Sequence, residues 1–399
     1  MTQLSPDRWQ LPDGVDELLP DAAWQVETLR RRIVDCCHSW GFDLVMPPMI
    51  EYLDSLLTGT GETMDLQTFK LVDQQNGRSM GIRADMTPQV ARMDAHALRG
   101  DSPNRLFYTG TVLRARTDGF GGSRSPLQFG AELFGHAGTH SDIEVIRLML
   151  ATLQEANVAP EDLILDLGHV GVFRALVAQL DLSAELSNLL FNSVQRGSLP
   201  DMQALLSDVK AAKNHGTAEL LGELMSLRGN QQVLTRARKA FASQSADVLM
   251  AIDSLQAVID GVLITHPNMG INIDLAELRG YSYHTGVLFA AYTHAGVELA
   301  RGGRYDAVGA AFGHPRPATG FSGDLKKLAD TMSQPAGSNK GIYVRAGLID
   351  DAWSEITRLR HSGELVITEL SGIDSEKQAV ACDRNLEQQD GQWALVQRS

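Results

Sequence analysis

The chain has 399 residues, 43% hydrophobic and 21% charged, with a formal net charge of −14. That length holds two or three domains with a sizeable core, and the balance is that of a globular protein rather than a disordered or fibrous one. Affinity for nucleic acid comes largely from Lys and Arg set against phosphates, so the acidic balance and the lack of any basic run of five residues argue against such a partner.

No stretch approaches about 18 consecutive apolar residues, and MTQLSPDRWQ lacks the basic-then-apolar profile of a signal peptide. A cytoplasmic protein without a membrane partner is expected. The neighbours Cys36 and Cys37 and the distant Cys382 supply neither a disulfide framework nor metal-ligand spacing, and no metal or cofactor is expected.

In chain order, LPDGVDELLP at residues 11–20 reads as a turn-rich entry. Asp21 can cap a helix over residues 22–40 that sets Trp24, Leu29, Ile33, Cys36, Cys37 and Trp40 near one face, with Gly41 as its stop. Residues 42–46 read as a strand ended by Pro47-Pro48, since proline cannot donate to a ladder. Residues 68–73 and 79–83 form an expected hairpin around Asn76-Gly77, where glycine supplies the positive φ of a tight turn. The hairpin delivers Arg83, Asp85 and Thr87 just before Pro88, which opens a helix to residue 98. Asp85 and Thr87 fit either helix-entry caps or binding groups.

The rest of the chain is arranged around residues 105–135, RLFYTGTVLRARTDGFGGSRSPLQFGAELFG. Two apolar-rich runs, 105–116 and 127–134, flank a loop with Gly119, Gly121, Gly122 and Pro126, the pattern of a long antiparallel hairpin. Alternation sends Leu127, Phe129, Ala131 and Leu133 to one side and Gln128, Gly130, Glu132 and Phe134 to the other. Gln128 and Glu132 then stand about 13 Å apart at roughly 3.3 Å per residue, and Gly130 between them leaves floor space for a small polar ligand. Arg114 on the facing strand is the natural counter-charge, because a guanidinium fork matches a carboxylate or phosphate. Glu132 for an ammonium and Arg114 for a carboxylate make an amino-acid site. A wet outer face of a two-sided sheet accounts for the same three residues without any ligand.

Beyond the hairpin, Ser141-Asp142-Ile143-Glu144 is a capping-box pattern ahead of a helix, and residues 163–167 read as a strand. Residues 170–262 carry Ala, Leu, Gln, Ser and Asp at helical spacing and read as an inserted helical subdomain. Strand signals return at 271–275. RGYSYHTG at 279–286 then leads into a strand at 287–292, and ARGGRYD follows at 300–306. Two arginine-glycine elements dense in tyrosine and hydroxyl groups point to a lined pocket. After a linker at 335–339, strands at 342–344, 365–367 and 393–396 alternate with helices at 350–359 and from 375, a βαβαβ unit.

Six pieces in one order, LPDGVDELLP, IRADMT, the LRAR-to-LQFGAELFG hairpin, LRGYSYHTG, ARGGRYD and GFSGDLKK, resemble the catalytic core of the class II aminoacyl-tRNA synthetases for histidine. The resemblance implies an α+β fold: an antiparallel six-stranded sheet with flanking helices, a helical insertion, and a dimer formed through the first motif. It places a synthetase-like core at residues 1–334, its insertion at 170–262, and a small C-terminal α/β domain at 340–399. It also implies that histidine is held by Asp85, Thr87, Arg114, Gln128, Glu132, Arg279 and Tyr305, with Tyr283 or its neighbour His284 reaching the imidazole. Asp85 replaces the family's glutamate, keeping the charge on an arm one methylene shorter.

The nucleotide side departs from that family. Arg116 stands where an acidic residue receives the adenine amino group, and it presents donors only. Lys326 and Lys327 stand where an arginine lies on adenine and phosphates, and lysine cannot reproduce a stacked planar guanidinium. Losing both costs several orders of magnitude in adenylation rate, although Arg279 is kept. The short C-terminal unit, with little basic clustering, replaces a larger anticodon-binding domain. This combination is similar to the regulatory subunits of ATP phosphoribosyltransferase, a synthetase-like family of histidine biosynthesis. That resemblance implies a non-catalytic chain with L-histidine as effector. It also implies a hetero-octamer with the short-form catalytic subunit, in which this subunit activates its partner and histidine confers feedback inhibition. The rival readings are an active histidyl-tRNA synthetase with unusual ATP contacts and a histidine-sensing module for another partner.

Overall fold

The structure is a computed structural model that describes residues 9–398 apart from 60–61, 118–121, 181, 208–214, 281–282 and 333–339. It divides into two units, Met1–Ser333 and Gln334–Ser399. The expected linker and two of the hairpin-loop glycines, Gly119 and Gly121, lie outside the described residues.

Helix Pro20–Ser39 starts on proline's preset φ rather than on a cap from Asp21, and Gly41 follows its end at φ +77. Its buried stripe is Val26, Leu29, Ile33 and Cys37. Trp24 and Trp40, expected on that face, are 63% and 36% exposed. At about 100° per residue Trp24 lies well round the helix from Leu29, and Trp40 falls past the last turn.

Strand β1 (Asp43–Leu44) is shorter than expected. Strands β2 (Ile50–Tyr52), β3 (Phe69–Val72) and β4 (Ser79–Ile82) make a separate sheet ordered β2-β4-β3, with Gly77 at φ +74 in the expected turn. The long hairpin is β5 (Asn104–Thr111) and β6 (Leu127–Phe134). After it come β7 (Leu163–His169), β8 (Arg228–Gly229), β9 (Gly270–Asp274), β10 (Val287–Thr293), β11 (Glu298–Arg304) and β12 (Ala318–Asp324).

The main sheet runs β1-β5-β6-β12-β11-β10-β7-β9-β8. Every pairing from β5 to β7 in that order is antiparallel, which is the expected six-stranded core. β1 and β9 extend it with parallel pairings, and β8 pairs antiparallel with β9. The sequence gives little sign of β12, because Gly320 and Gly323 weaken strand propensity. Its place between β6 and β11 makes it a strand.

β6 shows how the sheet sorts its faces. Phe129, Ala131 and Leu133 enter the large core beneath helices Thr139–Gln154, Val170–Ala178 and Ala246–Thr265, where each large apolar side chain contributes about 1.5–3 kcal/mol. Phe134 on the other face joins Tyr108 and Tyr305 in a smaller cluster under helix Thr87–His96. Helix Ala246–Thr265 is long and apolar enough to cross a membrane by length and composition alone. Here Val248, Ile252, Leu255, Val258, Ile259 and Val262 are buried while Asp253 and Asp260 are exposed, the stripe of a core helix.

The expected capping box at residues 141–144 does not form. Helix Thr139–Gln154 begins with Gly138 as its cap, and Asp142 is buried against Arg304, whose Nε donates to Oδ2 at 3.1 Å. Both side chains of the box are taken by distant partners: Ser141 Oγ accepts from Arg304 Nη2 at 2.8 Å, and Glu144 Oε1 accepts from Arg105 Nε at 2.7 Å.

The second unit holds β13 (Gly341–Val344), β14 (Val366–Thr368), β15 (Cys382–Gln389) and β16 (Gln392–Gln397), ordered β14-β13-β15-β16. Helix Trp353–His361 packs Ile356 and Leu359 with Ile342, Val344, Val366 and Leu386. That helix starts after Ala352, not at Asp350-Asp351. β15 was not expected, since CDRNLEQQ offers little apolar alternation. Asp390 and Gly391, at φ 51 and 79, form the tight turn that pairs it with β16.

Candidate functional site

Glu132 lies on β6 opposite Leu106 of β5 and Gly320 of β12. It is 1% exposed, and both its oxygens accept from phenols: Tyr108 Oη donates to Oε1 at 2.9 Å, and Tyr305 Oη donates to Oε2. Thr87 Oγ1 lies 2.9 Å from the Tyr108 hydroxyl and extends the network. Burial disfavours the charged carboxylate and drives Glu132 up to about 8, against the pull of the two tyrosine hydroxyls and with some help from nearby Asp85. Burial thus favours the protonated form of ligand-free Glu132.

Two glycines make room for this arrangement. A Cβ on Gly320 would fall on the Glu132 carboxyl, and one on Gly130 would meet the Tyr108 hydroxyl and the Phe321 carbonyl oxygen, each at 2.5 Å. The space over Gly130, expected to be ligand floor, is thus filled by Tyr108. Open volume lies beside it, in a cavity of about 750 Å³ bordered by every expected site residue except Gln128.

Gln128 sits underneath. Its Nε2 donates to Asp85 Oδ1 at 2.8 Å and its Oε1 accepts from the Met86 N–H at 3.0 Å, while Asp85 Oδ1 also accepts from the Thr87 N–H at 2.9 Å. The amide therefore fixes the 85–87 turn rather than facing the cavity. Arg114 falls past the end of β5, yet hairpin pairing continues there through its N–H to the Arg124 carbonyl at 2.8 Å.

Tyr283 lies against Tyr305, with ring centroids 4.9 Å apart, and its buried hydroxyl has no hydrogen-bond partner among the described residues. His284 Nδ1 lies 3.2 Å from the Gly280 carbonyl oxygen, and burial holds its imidazole down at about 4. Arg279 borders the cavity within a cage of Glu277, Glu298 and Tyr292.

The residues expected to spoil a nucleotide cleft lie apart from this cavity. Lys326 Nζ is bound to Asp16 Oδ2 at 3.0 Å and to the Ser125 carbonyl at 2.8 Å, while Arg116 and Lys327 are exposed. Sequence reasoning missed Tyr108, Gly320 and the Arg279 cage. Tyr108 was discoverable, since an aromatic paired with a glycine on the next strand covers it.

Glu132 gives the ligand-free chain a distinctive pH response. A pKa raised from 4.5 to about 8 contributes stability that is fully present below pH 4.5 and is lost as pH rises through 8. His169 and His284, both lowered from 6.5 to about 4, act oppositely but only below about pH 6.5. Between pH 6.5 and 8, denaturant unfolding of the natural chain should therefore lose about 1–2 kcal/mol relative to a Glu132→Gln variant. Parallel profiles would show that Glu132 is already ionised.

A family model described as histidyl-tRNA synthetase matches residues 14–328, and one described as ATP phosphoribosyltransferase subunit HisZ C-terminal domain matches residues 339–396. The structure of a histidyl-tRNA synthetase from Nostoc sp. PCC 7120 shares the fold at 18% identity and TM-score 0.77, over 98% of this chain and 97% of that one. The fold and this site define a class II, histidyl-tRNA-synthetase-like core. ATP phosphoribosyltransferase regulatory subunits from Thioalkalivibrio sulfidiphilus and Chromohalobacter salexigens are each 50% identical to the chain over 98% of its length and 98% of theirs. The chain belongs to the ATP phosphoribosyltransferase regulatory subunit family. A structure described as an ATP phosphoribosyltransferase regulatory subunit/histidyl-tRNA synthetase from Bacillus halodurans C is similar at 26% identity and TM-score 0.82, over 96% of this chain and 98% of that one.

Proposed function

We propose that the cavity binds L-histidine, and that the chain activates a short-form catalytic ATP phosphoribosyltransferase subunit and passes histidine feedback inhibition to it. The family role is regulatory and non-catalytic, in histidine biosynthesis. The observation that carries the ligand reading is a buried Glu132 set among Tyr108, Tyr283 and Tyr305 beside a second carboxyl, Asp85. Histidine has two N–H-bearing ends and one carboxylate. The aromatic wall around Glu132 suits the flat imidazole, and the Glu132 proton can pass to a ring nitrogen to leave an ion pair. Half-buried Asp85 with Thr87 then takes the ammonium, which moves that group from the Glu132 position that parity alone gave it. Arg114 and Arg279 supply guanidinium groups for the carboxylate.

The proposed assembly is a hetero-octamer built on self-dimers, without nucleic acid or membrane. Support for the dimer comes from Leu19, Trp24 and Met46, which are 69%, 63% and 78% exposed around helix Pro20–Ser39 and the sheet-edge strand β1. Regulation is linkage: histidine shifts the assembly by its difference in affinity for two arrangements, typically about 1–3 kcal/mol.

Tyr283 offers a test with separable readouts. Its hydroxyl lacks a hydrogen-bond partner among the described residues, so Tyr283→Phe should leave the ligand-free chain at least as stable in thermal unfolding while weakening histidine binding by about five- to ten-fold in calorimetry. Unchanged affinity would remove Tyr283 from the ligand's surroundings.

A further inference from the structure

The Arg279 cage has features that binding alone does not require. The guanidinium stands in the wall of the cavity, yet both its terminal nitrogens are engaged by the protein. Nη1 donates to Glu298 Oε2 at 3.3 Å, and Nη2 meets Glu277 Oε2 at 2.9 Å and donates to Tyr292 Oη at 2.9 Å. Tyr292 Oη in turn donates to Glu298 Oε2 at 2.8 Å, which closes a ring of three side chains with Glu277 attached to it at Arg279. The cage is a product of topology: Arg279 follows β9, Tyr292 lies one residue before the end of β10, and Glu298, paired with Tyr292, begins β11.

A ligand carboxylate gripped by a guanidinium uses two parallel N–H donors. In this cage those donors already face two carboxylates and a phenol, so an incoming carboxylate must displace protein acceptors of the same charge. Resting on the histidine reading above, we infer that Glu298 and Tyr292 are positioning residues that hold Arg279 back and set how strongly the cavity discriminates ligands bearing a carboxylate from those without one. The cost of withdrawing Arg279 falls on the carboxylate-bearing ligand alone. Tyr292 holds Glu298 in place and is the second control on the same ring. The cage is partly exposed, with side-chain exposures of 46% for Arg279 and 24% for Glu298, so its change perturbs the ligand balance more than the fold.

The test compares L-histidine with L-histidinol, which keeps the ring and the ammonium but carries an alcohol in place of the carboxylate, by calorimetry on the full chain. Removing the Glu298 charge with Glu298→Gln should raise the ratio of histidine to histidinol affinity by about three- to ten-fold. Tyr292→Phe should shift the ratio in the same direction by a smaller factor. A general loss of structure would weaken both ligands together and leave the ratio unchanged, and that result overturns the inference while leaving the histidine site standing. If the natural chain binds neither ligand, the site reading and this inference fall together.

Discussion

Replacing Glu132 by glutamine should weaken histidine binding about 100-fold while leaving the fold intact, measured by calorimetry and thermal unfolding. The amide keeps the size of the carboxyl and can still pair with Tyr108 and Tyr305, so no buried hydroxyl is stranded. What it cannot do is become an anion. A charge-assisted hydrogen bond in a buried site contributes about 1.5–3 kcal/mol, which corresponds to roughly 10- to 150-fold in affinity. Glu132→Ala is the poorer experiment. It leaves two buried phenols unpaired at about 1–3 kcal/mol each, which confounds ligand loss with destabilisation. A glutamine variant that binds histidine normally would place the ligand away from β6.

Gly320→Ala should damage both the site and the fold with a single methyl group. The added carbon would coincide with the Glu132 carboxyl and approach the Ala131 carbonyl oxygen at 2.7 Å. Either Glu132 leaves its tyrosines or β12 moves off β6. Both routes cost about 2–4 kcal/mol and both empty the site of its acid, so the variant should unfold at lower denaturant and show no histidine heat. A variant of natural stability and affinity would show that this strand contact is looser than described.

The parity of β6 was legible because a strand with one face in a core must alternate, and Phe129, Ala131 and Leu133 against Gln128, Gly130 and Glu132 alternate cleanly. The same pattern could not reveal that Gly130 is covered, since that depends on Tyr108 standing opposite it across the hairpin. The capping box at residues 141–144 was misread for a similar reason: the local pattern was overridden by Arg304, far along the chain, which donates to Ser141 Oγ at 2.8 Å. Of the site, the pieces carried in continuous motifs were readable, from Asp85 and Thr87 to Tyr283 and Tyr305. The Arg279 cage was not, because Glu298 and Tyr292 reach Arg279 only through the pairing of β10 with β11. β15 was missed although Asp390-Gly391 is a strong hairpin signal, since its eight residues bury little besides Leu386.

Feedback inhibition of a reconstituted complex most directly tests the proposal that histidine acts through this cavity. With the short-form catalytic subunit and saturating substrates, histidine should inhibit the complex containing the natural chain. The complex containing the Glu132→Gln chain should be equally active without histidine and stay active at those concentrations. Inhibition of both complexes at the same histidine concentration would contradict the placing of the effector at Glu132.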